Sequence, residues 1–211
     1  CLTLAKEARR RGWNICFLLR DPEQNIIDLI SSVGYEIQKL ISDTSCKNKS
    51  VNLLDHSDWL SVSQEEDAQG TLNIVSDFKP DWIIVDHYAL DATWHAVVKK
   101  TLAKILVIDD LGDRKLICDI LLDQNLGASI QKYDGKVPEN CKLLLGPHFA
   151  LLRHEFKDWR QRSLKGRFDR KVEKILITMG GVDASDYTLS ILKKLSKSKY
   201  AKECSFTIIT G

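Results

Sequence analysis

Short runs of Val, Ile and Leu alternate along this chain with longer stretches whose apolar residues recur every three or four positions. That alternation predicts parallel strands joined by crossover helices, an α/β fold. Strands are expected from Asn14 to Leu19, Tyr35 to Leu40, Trp82 to Asp86, Lys104 to Asp109, Ile120 to Asp123, Lys142 to Leu145, Lys174 to Met179 and Ser205 to Thr210. Several carry no polar alternation, the pattern of strands covered on both faces.

The helix after the first strand is marked by Asp21 as N-cap, Pro22 at its first position, Gln24 in a capping-box-like place and Gly34 past its end. Its apolar face is Ile26, Ile27, Ile30 and Val33. A second helix is expected from Gln64 to Phe78, stopped by Pro80. Another runs from Asp91, an N-cap candidate, through Trp94, Val97, Val98 and Leu102. From Phe149 to Ser163 the pattern is again helical, and "LKGRFDRKVE" then turns polar before a fresh strand. This places a first domain at 1–157, a linker at 158–172 and the start of a second domain at 173–211. The chain opens inside a helical pattern, "CLTLAKEARRRGW", and closes on a strand, so a segment of a longer protein is expected, its second domain incomplete.

The composition excludes several classes. With 211 residues, 44% apolar content and a formal net charge of +2, the chain has enough material for a packed core and no strong field to attract nucleic acid or anionic lipid. Its six cysteines show no C-x-x-C pair and no metal-type spacing to the five histidines. Cys16 and Cys118 sit within apolar runs, as reduced thiols of a cytoplasmic protein would. No apolar run reaches the length of a membrane span. No metal, cofactor, nucleic-acid or membrane partner is expected.

In open parallel sheets, ligands gather outside the carboxyl ends of the strands. Three polar clusters fall there: "VDHY" at 85–88, "IDDLGDR" at 108–114 and "TMGGVDASD" at 178–186. Asp86, His87 and Tyr88 can bind or move protons there, or Asp86 can simply cap the next turn. Asp109 and Asp110 could hold a metal or orient a partner, with loop capping by Asp110 the alternative. Gly180 and Gly181 leave room for a phosphate before a helix expected to start near Asp183, although an ordinary strand-to-helix turn would use the same glycines. Neither a dinucleotide fingerprint nor a P-loop is present. The histidines at 56, 95 and 154 have no partners at ligand spacing.

In order, "LTLAKEARRRGW", "WIIVDHYALDATW", "VIDDLGDRKLICDILLDQN", "LLLGPHFALLRHEF" and "ILITMGGVDASD" resemble the UDP-sugar hydrolase family of pseudaminic acid biosynthesis. That family cleaves UDP-2,4-diacetamido-2,4,6-trideoxy-β-L-altropyranose. The resemblance implies two Rossmann-like domains in a glycosyltransferase-B-like arrangement, inverting attack of water at the anomeric carbon, and no metal. It makes Tyr88 the active-site tyrosine and puts Asp86 and His87 at that end of the pocket, with Gly180, Gly181 and Asp183 near the diphosphate; Asp110, at its strand end, is a further substrate-binding candidate. Leu151, Leu152 and Phe156 read as packing residues. The family's expected general base, a histidine in a glycine-rich loop upstream of Cys1, is not in this sequence. A glycosyltransferase of the same architecture and a non-catalytic sugar-nucleotide-binding module are the other readings.

Overall fold

A computed structural model describes residues 1–42, 54–165, 167, 171–180, 183 and 186–209. The chain divides into two compact units, residues 1–153 and 154–211. In the first unit, helix α1 (Leu2–Arg10) leads to strand β1 (Cys16–Arg20), α2 (Gln24–Ser32) and β2 (Glu36–Leu40). There follow α3 (Gln64–Phe78), β3 (Trp82–Val85), α4 (Ala92–Val98), β4 (Lys104–Ile108), β5 (Ile120–Asp123) and β6 (Lys142–Leu145). β1 and β2 pair in parallel, and β3-β4-β5-β6 form a four-stranded sheet. Its neighbours are all parallel. The second unit carries α5 (His154–Leu164), β7 (Lys174–Thr178), α6 (Tyr187–Leu195), α7 (Tyr200–Glu203) and β8 (Ser205–Ile209), with β7 and β8 again parallel. The expected Rossmann-like α/β class is thus observed, each strand within two residues of its expected ends. Thr210 and Gly181 lie outside the described residues.

The larger core forms where the inward residues of β3, β4 and β5, namely Val85, Ile105, Val107 and Leu121, meet Ala68 of α3 and Trp94 and Val98 of α4. Burial of this apolar surface is the main force holding the layers together. A smaller core joins Ala5 of α1, Ile30 of α2 and Tyr35. The polar staple between the two sheets is Asp67, a buried carboxylate of α3. It accepts hydrogen bonds from Arg20 Nε at 2.8 Å, at the end of β1, and from Trp94 Nε1 at 2.7 Å, in α4. Gly70 in mid-α3 lets β2 approach closely, since a Cβ there would stand 3.0 Å from Leu40 Cδ2 and force that side chain to shift.

Helix ends show where side-chain bonding overrides local pattern. α3 matches its expected limits: Ser63 Oγ accepts from the Glu66 amide at its start, and Lys79 takes the left-handed conformation before Pro80. Asp21 does not cap α2. It adopts a φ of +41° and turns its carboxylate to the Ser42 amide, at 2.9 Å, and to the hydroxyls of Ser42 and Ser61, so α2 begins after Glu23 instead. Of the expected α2 face, Ile30 is buried but Ile26 is exposed. Asp91 does cap α4, accepting from the Thr93 amide at 2.7 Å, but the helix stops at Val98. Thr101 turns the chain there by bonding the Val98 carbonyl, which leaves Leu102 fully exposed rather than on the helix face. Leu152 and Phe156, expected to pack, are exposed too. No crossover helix joins β4 to β5. A loop, residues 109–119, does so, and the β5-to-β6 connection holds only the short 3-10 turn Ile130–Tyr133.

His95 of α4 is buried, with Nδ1 accepting from the Ile117 amide at 3.4 Å and Nε2 without a partner among the described residues. Burial, with Arg114 nearby, pushes its pKa down to about 4 from 6.5. The unfolded chain therefore binds a proton that the fold refuses, and stability present above pH 6.5 is lost as the pH falls toward 4. Urea midpoints between pH 7 and pH 4 should fall by the equivalent of about 3 kcal/mol from this group. His95→Phe should flatten that slope, while an unchanged slope in the variant would clear His95 of the effect.

Candidate functional site

The carboxyl edge of the four-stranded sheet is organised around one buried guanidinium. Arg114 Nη1 lies 2.7 Å from Asp109 Oδ1, both side chains almost fully buried. Its Nε donates to the Leu90 carbonyl at 2.8 Å and its Nη2 to the His87 carbonyl at 3.4 Å. Arg114 thereby ties the loop after β3 to the loop after β4. The 109–114 turn is closed by the Gly112 amide donating to Asp109 Oδ2 at 2.9 Å. Gly112 sits at φ +62°, and a Cβ there would come within 2.7 Å of Lys132 Cγ, so only glycine fits both conformation and space. Lys132 Nζ bridges the Asp110 carbonyl at 2.6 Å and Asp123 Oδ2 at 2.8 Å. Burial alone would raise the Asp123 carboxyl, but hydrogen bonds from Lys132, the Asn125 amide and Tyr133 hold it below the usual carboxylate range.

On this frame Tyr88 and Asp110 meet. The Tyr88 hydroxyl donates to Asp110 Oδ1, and Asn125 Nδ2 donates to Asp110 Oδ2 at 2.7 Å. The hydrogen bond to that carboxylate, with partial burial, pushes the Tyr88 pKa up to about 12. The phenol therefore stays protonated near neutral pH, and its oxygen lone pairs remain to accept a hydrogen bond from a bound hydroxyl or water. Asp86 is exposed beside the start of α1, where Cys1 Sγ lies 3.3 Å from its Oδ2. His87 is used internally. Its Nδ1 accepts from the Ala89 amide at 3.1 Å, and the backbone of Trp59 is a further hydrogen-bond partner. Burial depresses its pKa, so the imidazole is held neutral.

Asp109 and Asp110, adjacent in sequence, part company: Asp109 points inward to Arg114 and Asp110 outward to Tyr88. Among the described residues no group of three or more His, Cys, Asp or Glu side chains could hold a metal ion. In the second unit Gly180 takes a φ of +83°, the turn between strand and helix. Asp183 precedes α6 rather than starting it, and accepts from the amides of Tyr187 at 2.9 Å and Thr188 at 2.8 Å. Those bonds, from Thr188 above all, hold its carboxyl below the ordinary range. Asp183 thus caps the first turn of α6.

Two residues beside Tyr88 carry no sequence signal. His56 and Trp59 come from a non-periodic stretch, yet their rings gather on the phenol. The ring centroid of His56 is 5.3 Å from that of Tyr88, Trp59 is 5.7 Å from it, and the two are 4.8 Å from each other. Nothing in their spacing ties them to a residue some thirty positions on; only the turn Ser57–Trp59 brings them there.

No known protein-family model matches the chain. It is 33% identical over 129 residues to the UDP-2,4-diacetamido-2,4,6-trideoxy-β-L-altropyranose hydrolase of Campylobacter jejuni, across 61% of this chain and 45% of that protein. The likeness suggests a related family. An uncharacterized protein of Methanocaldococcus jannaschii is 21% identical over 196 residues, covering 92% of this chain and 35% of that protein. The chain spans less than half the length of either curated relative. Among the described residues no helix is long and apolar enough to cross a membrane.

Two outcomes test this geometry. Arg114→Ala strands the Asp109 charge and should cost about 3–5 kcal/mol in urea unfolding, whereas Lys99→Ala, which breaks the exposed pair with Asp119, should cost under about 1 kcal/mol. Equal losses would mean that the buried pair is no clamp. The Tyr88 phenol, followed through its 13Cζ resonance, should remain un-ionised at pH 10. Asp110→Asn should bring its ionisation down into that range, since the carboxylate causes the upward shift.

Proposed function

We propose that the protein of which this chain is a part is a sugar-nucleotide hydrolase acting on UDP-2,4-diacetamido-2,4,6-trideoxy-β-L-altropyranose or a close relative. The observation that carries this reading is the hydrogen-bonded set Tyr88, Asp110 and Asn125 at the carboxyl edge of a parallel sheet, in a chain similar to an enzyme of that name. In the proposed reaction the oxygen of water bonds to the anomeric carbon from the face opposite the leaving group. The bond from that carbon to the phosphate oxygen breaks, its electron pair leaves with UDP, and the water proton passes to a general base. The resemblance puts that base on a histidine N-terminal to Cys1, and α1 begins beside Asp86.

Tyr88 orients the reacting end. Because its proton is directed to Asp110, the phenol oxygen accepts from the attacking water or from a sugar hydroxyl next to the anomeric centre. Asp86 offers an exposed acceptor at the same edge, and His87 supports the loop from within. Gly180, Gly181 and Asp183 are proposed for the diphosphate side, Asp183 as the residue that fixes the first turn of α6 through the amides of Tyr187 and Thr188. The domain limits 1–157, 158–172 and 173–211, and a cytoplasmic setting, belong to the same proposal.

The test is UDP release by the full-length protein from the UDP-linked diacetamido sugar, with excess chelator and no acceptor. Release with formation of the free sugar is expected. UDP bound without release would point instead to a transferase or a binding module. Tyr88→Phe should lower kcat about 100-fold while changing UDP affinity less than about twofold; unchanged turnover would remove Tyr88 from the mechanism.

A further inference from the structure

Trp59 is a large apolar side chain left 61% exposed, and it is held in that position. Its amide donates to the His56 carbonyl at 3.0 Å, the Leu60 amide bonds the Ser57 carbonyl at 3.1 Å, and Leu60 packs against the main core. The backbone of Trp59 is also a hydrogen-bond partner of the His87 imidazole. Two other rings, His56 and Tyr88, lie tilted against the indole at 4.8 and 5.7 Å between centroids. Trp13 is nearly as exposed, at 57%, but it precedes β1 at the opposite, amino edge of its sheet. The Tyr88 ring that meets the indole carries the hydroxyl bonded to Asp110, to which Asn125 also donates, and such a carboxylate and amide suit the hydroxyls and amides of a sugar.

We propose that Trp59, braced by His56 and Tyr88, is an aromatic shelf against which the sugar ring of the substrate stacks, and that it sets specificity for the sugar rather than the nucleotide. The proposal rests on the sugar-nucleotide reading above and names the part of the site that reads the ring. The C–H face of a pyranose is apolar and lies flat on an indole, while its polar edge turns to hydrogen-bonding side chains. A 2,4-diacetamido-2,4,6-trideoxy sugar adds to that face the methyls of its acetamido groups and of its deoxy carbon. A ring of this kind gains more from an aromatic surface than a fully hydroxylated hexose does. The His56 ring widens the shelf, and the turn Ser57–Trp59 holds it against the Tyr88 ring.

The experiment follows the 15N-labelled indole resonance of Trp59 in the full-length protein, assigned by its loss in Trp59→Phe. It is recorded with UDP alone and with the UDP-linked diacetamido sugar, and UDP release is read in the same samples. The indole should move with the sugar nucleotide and stay fixed with UDP. Trp59→Ala should raise KM about tenfold with kcat within about twofold, and Trp59→Phe, which keeps a ring, should stay within about threefold of the parent KM. An indole that moves with neither compound, or equally with both, overturns the shelf whether or not UDP is released. A Trp59→Ala variant with the parent KM overturns it as well. Failure of the hydrolase reading shows separately, as absence of UDP release from the wild-type protein.

Discussion

The ion pair between Arg114 and Asp109 is the constraint on which the rest of the site depends. A charge taken out of water is costly unless it is paired and its remaining donors are met. Here the guanidinium is met by the carboxylates of Asp109 and Asp113 and by the carbonyls of Leu90 and His87, and the loops after β3 and β4 must converge for that to happen. With the two loops drawn together, Tyr88 and Asp110 stand within hydrogen-bond reach. Gly112 and Lys132 finish the arrangement, one by admitting the tight turn and the other by holding the Asp110 backbone to Asp123.

The same constraint explains why a region with so little helix is ordered. Crossovers in parallel sheets usually cover the sheet with a helix, and the connections from β4 to β5 and from β5 to β6 do not. Their order comes from polar bonds instead. Tyr133, buried beneath the loop, bonds the Asp109 carbonyl at 2.9 Å and Asp123 at 3.0 Å, and Leu116 and Lys136 pair through the backbone at 2.7 Å. Burial and the neighbouring Asp109 drive the Tyr133 pKa upward, so this phenol is a fixed donor. The carboxyl edge of the four-stranded sheet is thereby polar and preorganised.

Strands were legible in the sequence because two-sided burial writes itself as unbroken Val, Ile and Leu, as in "KILVI" and "ILLD". α3 was legible because Ser63 and Pro80 mark both of its ends. Where a polar side chain had two courses open, local pattern failed: Asp21 read as a cap and is instead a bridge to Ser42 and Ser61. The site was half legible. Tyr88 and Asp110 each stood out at a strand end, but their pairing depends on Arg114, which no local rule singles out. His56 and Trp59 were invisible because their meaning lies in a contact across the fold, not in a period or a motif.

Arg114 hydrogen-bonds the loop after β3 through the carbonyls of Leu90 and His87, and its guanidinium also stands 5.9 Å from the centroid of the Tyr88 ring. Every amino acid offers the same carbonyl. Those bonds therefore ask nothing of the exposed side chain at position 86, and the chemistry displayed there can be exchanged without removing them. The sheet edge in this way separates the task of holding a loop from the task of reacting, and a scaffold with that separation can acquire a new specificity by changing the displayed residues alone.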